Sequence, residues 1–568
     1  MNWNLVNRLK QRAERETGAN RADPGAKTGF ALLFPNEYHL GMSNLGFQII
    51  YREINRRADT ACERAFLPSP GDLQEHRRTG TPLLTMETLR PLAEFPLVGF
   101  AISFELDYFH VLEILELGRI PLRCEEREAG QPIVIAGGPC ATFNPEPLTP
   151  FVDVFVIGEG EEVIQELLDV YHDQKNNSAS RADILRALAG VPGLYVPAFA
   201  AKTARVARRW VKNLSRYSGE TAIVADHTEF DSLYLIEVAR GCGRHCRFCM
   251  AGYCFRPPRS RSVDDIRRGV ANARRQKRKV GLVGAAVSDF PDMNLLCDML
   301  AAENIGTSVA SLRADSTTPE LVRILAASGH RTITLAPEAG SERLRRIINK
   351  GITEEALLTT VAMALRAGIP NVKLYIMIGL PEETDADIDA IADLARKTLR
   401  CMQEHGPAGT LTLSVNPFVP KPFTPFQWLP MADYNLVSGR LKQLERGLKA
   451  EKRIRLQAES LREAYIQGTL ARGDRQLGEA LRAAHLMGGR RQWKAALKLT
   501  GLRAEDYLYR DYSPSEVFPW EVVDVGVTRE YLWAELQKAL AESPTAVCAP
   551  MCRRCGVCGQ QGGTAEDS

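Results

Sequence analysis

The chain has 568 residues, 45% of them hydrophobic, and its 72 Lys and Arg against 69 Asp and Glu leave a net charge of +3. Such a length supports about three or four domains with their own cores, and the near balance of charge excludes a global electrostatic pull toward nucleic acid or membrane. There is no run of about 18 apolar residues and no apolar core in Met1–Arg12, so neither a membrane span nor a signal peptide is expected. Thirteen cysteines, seven of them in two tight clusters, point to metal binding in a reducing cytoplasm rather than to a disulfide framework.

Residues 1–28 read as a charged helix with Trp3, Leu5 and Leu9 on one side, followed by a Gly/Pro connection. Over 29–190 apolar runs at Ala31–Phe34, Leu97–Ser103, Ile133–Ala136 and Val152–Ile157 alternate with helical patterns such as Phe47–Asn55. Continuous apolar strands separated by helices predict an α/β, doubly wound parallel sheet, whose ligands sit at the carboxyl ends of the strands. Those ends carry Ser43 and Asn44, Ser103, Gly137 and Gly138, and Gly158 and Glu159. Glycines there let backbone approach a bulky ligand. Residues 191–230 read as a connector with short β-like pieces at Leu194–Val196 and Ala222–Val224.

Over 231–430 a second β/α series is predicted, with strands at Tyr234–Val238, Val280–Val283, Ser308–Ser311, Thr332–Leu335, Lys373–Ile378 and Leu411–Val415. Directly after the first comes Arg240-Gly-Cys-Gly-Arg-His-Cys-Arg-Phe-Cys-Met250, which spaces Cys242, Cys246 and Cys249 as C-x3-C-x2-C. A [4Fe–4S] cube is normally held by four cysteines, so three thiolates leave one iron open to a small ligand. A structural zinc site wants four ligands, and His245, inside the loop, is poorly placed to be the fourth.

With Phe248 before the last cysteine, this loop resembles the signature of the radical S-adenosylmethionine (radical SAM) superfamily, and the six β/α repeats match that family's partial (β/α)6 barrel. The resemblance implies a reduced cluster that binds SAM through the open iron and cleaves it to a 5′-deoxyadenosyl radical. By likeness to the Elp3/MiaB/NifB-like branch, Glu338 is expected on the SAM ribose and Gly379-Leu-Pro381 beside the adenine. Arg313 and Arg345 are candidates for the SAM carboxylate, which calls for a guanidinium. The usual Gly-Gly-Glu for the methionine amine is absent, and Gly284-Ala-Ala286 stands in its place. Pro420-Lys-Pro-Phe-Thr-Pro-Phe426 is similar to the sixth-strand exit of the same branch.

The N-terminal series, with Gly137-Gly-Pro139 and then Gly158-Glu-Gly-Glu161, resembles the cobalamin-binding domain fused to many radical SAM enzymes. The Asp-x-His-x-x-Gly motif of cobalt-ligating relatives is absent. His39 has Met42 three positions on and reads as a turn or surface histidine.

Residues 431–545 read as helical, for example Tyr434–Lys449 and Gly478–Met487, with Arg472, Arg490 and Arg491 on solvated helix faces. The tail, 546–568, carries Cys548, Cys552, Cys555 and Cys558 as C-x3-C-x2-C-x2-C. Four thiolates this close predict a second metal centre, zinc or an auxiliary [4Fe–4S] cluster fitting the spacing equally. The last ten residues read as disordered. The resulting expectation is a radical SAM enzyme, methylating an unidentified substrate with cobalamin and fed electrons by a donor such as flavodoxin or ferredoxin. Alternatives are a cobalamin-free, methylthiotransferase-like RNA-modifying enzyme and a non-catalytic iron–sulfur regulatory or assembly protein.

Overall fold

The computed structural model describes residues 2–21, 25–201, 205–230, 233–407, 409–549 and 552–558; the last ten residues lie outside the described ones. The chain forms two compact units, one of 1–232, 469–504 and 517–524, the other of 233–468, 505–516 and 525–568. The expected helical region 431–545 is therefore divided between them.

The first unit is built on six strands: β1 (Thr28–Phe34), β2 (Thr60–Phe66), β3 (Leu97–Ala101), β4 (Ile133–Gly137), β5 (Val154–Val156) and β6 (Leu194–Tyr195), in the order β2–β1–β3–β4–β5–β6. The first five run parallel and β6 is antiparallel to β5. Burial of Phe30, Leu32, Leu33, Val98, Val134 and Ile135 explains the unbroken apolar runs, each such side chain contributing about 1.5–3 kcal/mol. This strand order is that of the flavodoxin-like sheets, which bind ligands at the β1/β3 switch point.

Strand β2 escapes the sequence pattern because Glu63 and Arg64 interrupt it, yet both are buried. Arg64 donates to Glu16 and Glu87, each at 2.7 Å, while Glu63 accepts from Thr85 and Thr88, each at 2.6 Å. Burying charge is tolerated here because Arg64 is paired with two carboxylates and Glu63 Oε2 is hydrogen-bonded by two hydroxyls. The N-terminal helix, Trp3–Glu14, buries Leu5 and Val6 and leaves Trp3 68% exposed, so the buried face is rotated from the predicted one. Arg472, expected on a solvated face, is 1% exposed; beside it, Asn144 donates to the carbonyls of Ala471 and Gly473 and ties this late segment to the end of β4.

The second unit contains seven parallel strands: β7 (Tyr234–Glu237), β8 (Val280–Val283), β9 (Thr307–Val309), β10 (Thr332–Glu338), β11 (Asn371–Ile378), β12 (Leu411–Pro417) and β13 (Ile454–Ala458). They pair as β9–β8–β7 and β10–β11–β12–β13, joined by a parallel bridge between Leu312 and Leu335. The six predicted strands are present, and β13 extends the series beyond them. Among the described residues no helix is long and apolar enough to cross a membrane.

Candidate active site

The cysteine loop of the second unit and the residues around it follow the carboxyl ends of its strands, where β/α arrangements place active sites. Cys242, Cys246 and Cys249 follow β7 in one loop. Burial pushes the Cys242 thiol up, and burial followed by the neighbouring Cys246 and Cys242 pushes Cys249 up to about 12. A metal bound by these cysteines would deprotonate them outright. His245 does not face this group: it is buried, with Nδ1 2.6 Å from the Tyr531 hydroxyl and 3.0 Å from Arg256.

Two ion-pair systems surround the loop. Arg244 donates to Cys242 Sγ through its backbone N–H at 3.4 Å, and through its side chain to Asp289 (2.7 and 2.8 Å) and Asp315 (3.1 Å). Arg313 reaches to 3.9 Å from Cys246 Sγ and grips both oxygens of Asp315 at 2.9 and 3.0 Å. It also donates to the Lys350 carbonyl at 2.8 Å.

Glu338 ends β10 with a register shift against β11 and a φ of +68°. A bulge re-aims a side chain, and a non-glycine residue held at positive φ stores strain of the kind found at functional sites. Its carboxylate accepts from Lys350 Nζ at 3.0 Å, and Lys350 Nζ lies 5.9 Å from the Phe248 ring centre. Glu338, Lys350, Phe248, Arg313 and the three thiols thus form one neighbourhood. Gly284 lies against the end of β7, its missing Cβ position 3.3 Å from Val238.

Arg345 is placed differently from expectation. Its guanidinium holds the carbonyls of Ala339 and Gly340 at 3.0 and 3.1 Å, and its acidic neighbours are Glu342 and Glu354 rather than the thiol loop. Lys350, rather than Arg345, lies beside Glu338 and Arg313. Lys350 lies past a helix end, between Asn349 and Gly351, both at positive φ.

The glycine turn after β11 is locked by an acid. Gly379 N–H and Arg440 both donate to Glu383 Oε2, at 2.8 and 2.9 Å. Burial nevertheless outweighs these partners and pushes the Glu383 carboxyl up to about 7 from an ordinary 4.5. Between those values the folded chain holds a proton that the unfolded chain has lost. This contribution is complete below about pH 4.5 and disappears as pH rises through about 7, an effect of up to ~3 kcal/mol. Glu383→Gln should remove it: the difference in unfolding free energy between variant and parent, from urea titrations at about pH 4.5 and 8, is expected to change by that amount. An equal difference at both pH values would show that Glu383 does not titrate in this window.

Residues 236–395 match the family described as the radical SAM superfamily, and residues 46–197 match that described as radical SAM proteins, N-terminal. The uncharacterized protein MJ0966 of Methanocaldococcus jannaschii is 30% identical over 456 residues, covering 79% of this chain and 90% of its own. The chain belongs to the radical SAM superfamily.

Other relatives of this radical SAM protein match less of it. The tRNA-2-methylthio-N(6)-dimethylallyladenosine synthase of Bdellovibrio bacteriovorus is 27% identical over 37% of the chain and 49% of its own length. Among solved structures, the radical SAM methyltransferase TsrM from Kitasatospora setae, with cobalamin and a [4Fe–4S] cluster bound, has a TM-score of 0.45 at 15% identity, over 68% of this chain and 72% of its own. The cobalamin-dependent radical SAM enzyme OxsB, with aqua-cobalamin and SAM bound, has a TM-score of 0.47 at 12% identity, over 91% and 80%.

Superfamily membership implies an enzyme with a [4Fe–4S] cluster and SAM. The donor set fits: three mutually interacting thiols, one short of a closed site, flanked by Arg313 and Lys350.

In the first unit of the radical SAM protein, the strand-end residues sort into two groups. Asn44 caps the helix Leu45–Asn55 through Phe47 N–H at 2.9 Å and donates to Ser103 at 3.1 Å, while Asn36 donates to Asp107 at 2.9 Å. With the partly exposed Gly137 and Gly138 they make a polar edge after β1, β3 and β4. Ser43 is engaged by its own unit, donating to the His39 carbonyl and accepting from Glu229 N–H. Gly158 and Glu159 belong elsewhere: Gly158 bridges to Arg209, and Glu159 accepts from Val211 N–H at 2.8 Å, so both fasten the connector. The His39 side chain is 43% exposed and 3.9 Å from Glu229, as a surface histidine would be.

Proposed function

We propose that Cys242, Cys246 and Cys249 hold the SAM-cleaving cluster and that the protein methylates an unidentified substrate with the help of cobalamin. The observation that carries the SAM site is the bulged, strained Glu338 turned toward Lys350 beside a three-thiol loop. When bound, the cluster supplies the electron that breaks a carbon–sulfur bond of SAM. The chain's own residues do the positioning. Glu338 is the acceptor for the ribose hydroxyls, Lys350 and Arg313 supply positive charge for the carboxylate, and Phe248 offers an apolar face.

Cobalamin, when bound, supplies the methyl group. Its proposed place is the polar edge formed by Asn44, Ser103, Gly137 and Gly138, and the support is the flavodoxin-like strand order beneath that edge. Gly158 and Glu159 are not part of it. The chain has no Asp-x-His-x-x-Gly motif, so no histidine of it is assigned to hold the cofactor. A reducing cytoplasm with flavodoxin or ferredoxin as electron donor completes the proposal.

The test is anaerobic purification with a reconstituted cluster, then corrinoid analysis and titration with cobalamin. Binding near micromolar, about −8 kcal/mol, is expected. If neither copurified nor added corrinoid binds, the methylation reading falls. The methylthiotransferase-like reading, favoured by the sequence shared with the tRNA-modifying relatives, then replaces it.

A further inference from the structure

The tail cysteines are not loose. The segment that carries them runs back along the loop of Cys242, Cys246 and Cys249, within the same compact unit. The helix Arg529–Leu540 places Tyr531 on His245, and Arg247, fully buried, donates to Glu535, Ser543 and Thr545. Asn349 donates to the carbonyls of both His245 and Thr545 at 3.0 Å. At the array itself, Cys548 N–H donates to the Gly243 carbonyl at 2.8 Å, one residue from a cysteine of the first loop. Arg256, from the far side of that loop, has Nη1 3.6 Å from Cys555 Sγ, and Arg554 Nε lies 3.2 Å from Cys552 Sγ.

Residues 552–558 are turns rather than strand or helix. After burial, the neighbouring Cys552 and Cys555 push the thiols of Cys548 and Cys558 up. Gly556, between the last two cysteines, has a φ of +92°, and a Cβ there would meet Thr528 at 2.6 Å. A glycine at that angle lets the chain turn tightly between Cys555 and Cys558. Two guanidiniums beside the sulfurs offset the negative charge that four thiolates around one metal centre would carry.

We propose that Cys548, Cys552, Cys555 and Cys558 bind a second metal centre through four thiolates, and that this centre fastens the C-terminal segment onto the loop bearing Cys242, Cys246 and Cys249. With four protein ligands it is closed, so it holds metal without taking SAM. It is also independent of the cluster in the first loop, and its test is arranged so that failure of one does not imply failure of the other.

The parent chain, reconstituted anaerobically and freed of loose metal, should contain about eight irons, or about four irons and one zinc. The first result makes the centre an iron–sulfur cluster and the second makes it zinc. The variant with Cys242, Cys246 and Cys249 replaced by alanine should keep about four irons or one zinc, whereas Cys552→Ser/Cys558→Ser should lose that metal and retain the iron of the first loop. The same double variant should show faster amide exchange over 528–558. About four irons and no zinc in the parent would overturn the proposal. So would a double variant with undiminished metal content or with unchanged exchange over that segment.

Discussion

Replacing Cys242, Cys246 and Cys249 together with alanine is expected to abolish formation of 5′-deoxyadenosine from SAM under dithionite. The loop has three thiols; burial, then the neighbouring thiols, raises those of Cys242 and Cys249, and a bound metal would bring them to the thiolate form. Without them no iron with an open position would be held for SAM, and Glu338, Lys350 and Arg313 have no redox chemistry of their own. The rate should fall to the uncatalysed background, a loss of at least about six orders of magnitude. Single-turnover assays by liquid chromatography measure it, with circular dichroism to show that the variant is folded. Unchanged cleavage in the triple variant would sink the assignment of these cysteines.

Gly241→Ala is expected to be the most damaging single methyl in the loop. Gly241 has a φ of +77°, and a Cβ there would sit 2.1 Å from the carbonyl oxygen of Phe255, far inside contact distance. The left-handed backbone alone costs alanine about 1–2 kcal/mol. The clash is with backbone, which cannot rotate away, so the total should reach about 3 kcal/mol or more. Gly351→Ala separates the two contributions: it has a φ of +68° but nothing within 4 Å of the added Cβ, and should cost only the conformational part. Because Gly241 precedes Cys242, its variant should also lose iron from the first loop, while Gly351→Ala keeps it. Similar melting temperatures for the two variants, together with full iron in both, would refute this account of the loop.

The chemistry of the first loop was legible in the sequence because its ligands are close along the chain: C-x3-C-x2-C needs no long-range contact to be recognised. The spacing of the tail array is equally local, and the parallel β/α character of both series follows from unbroken apolar strands between helices. Glu338 was legible as a polar residue at a strand end, but its φ and bulge depend on how β10 and β11 pair. Lys350 was not legible, since its meaning comes from Glu338 and Phe248, which stand 12 and 102 positions away in the chain. Tertiary structure alone decided that β2 is a strand, because a run containing Glu63 and Arg64 is buried only if Glu16, Glu87, Thr85 and Thr88 arrive to pair with it. It likewise decided that Gly158 and Glu159 hold the connector and that Arg345 holds a turn, because a glycine or an arginine in sequence does not say which backbone comes to meet it. Residue types and local spacing determined the class of chemistry. Long-range pairing of charge and backbone, whose free energy exists only in the folded chain, decided which of the candidate residues stand beside it.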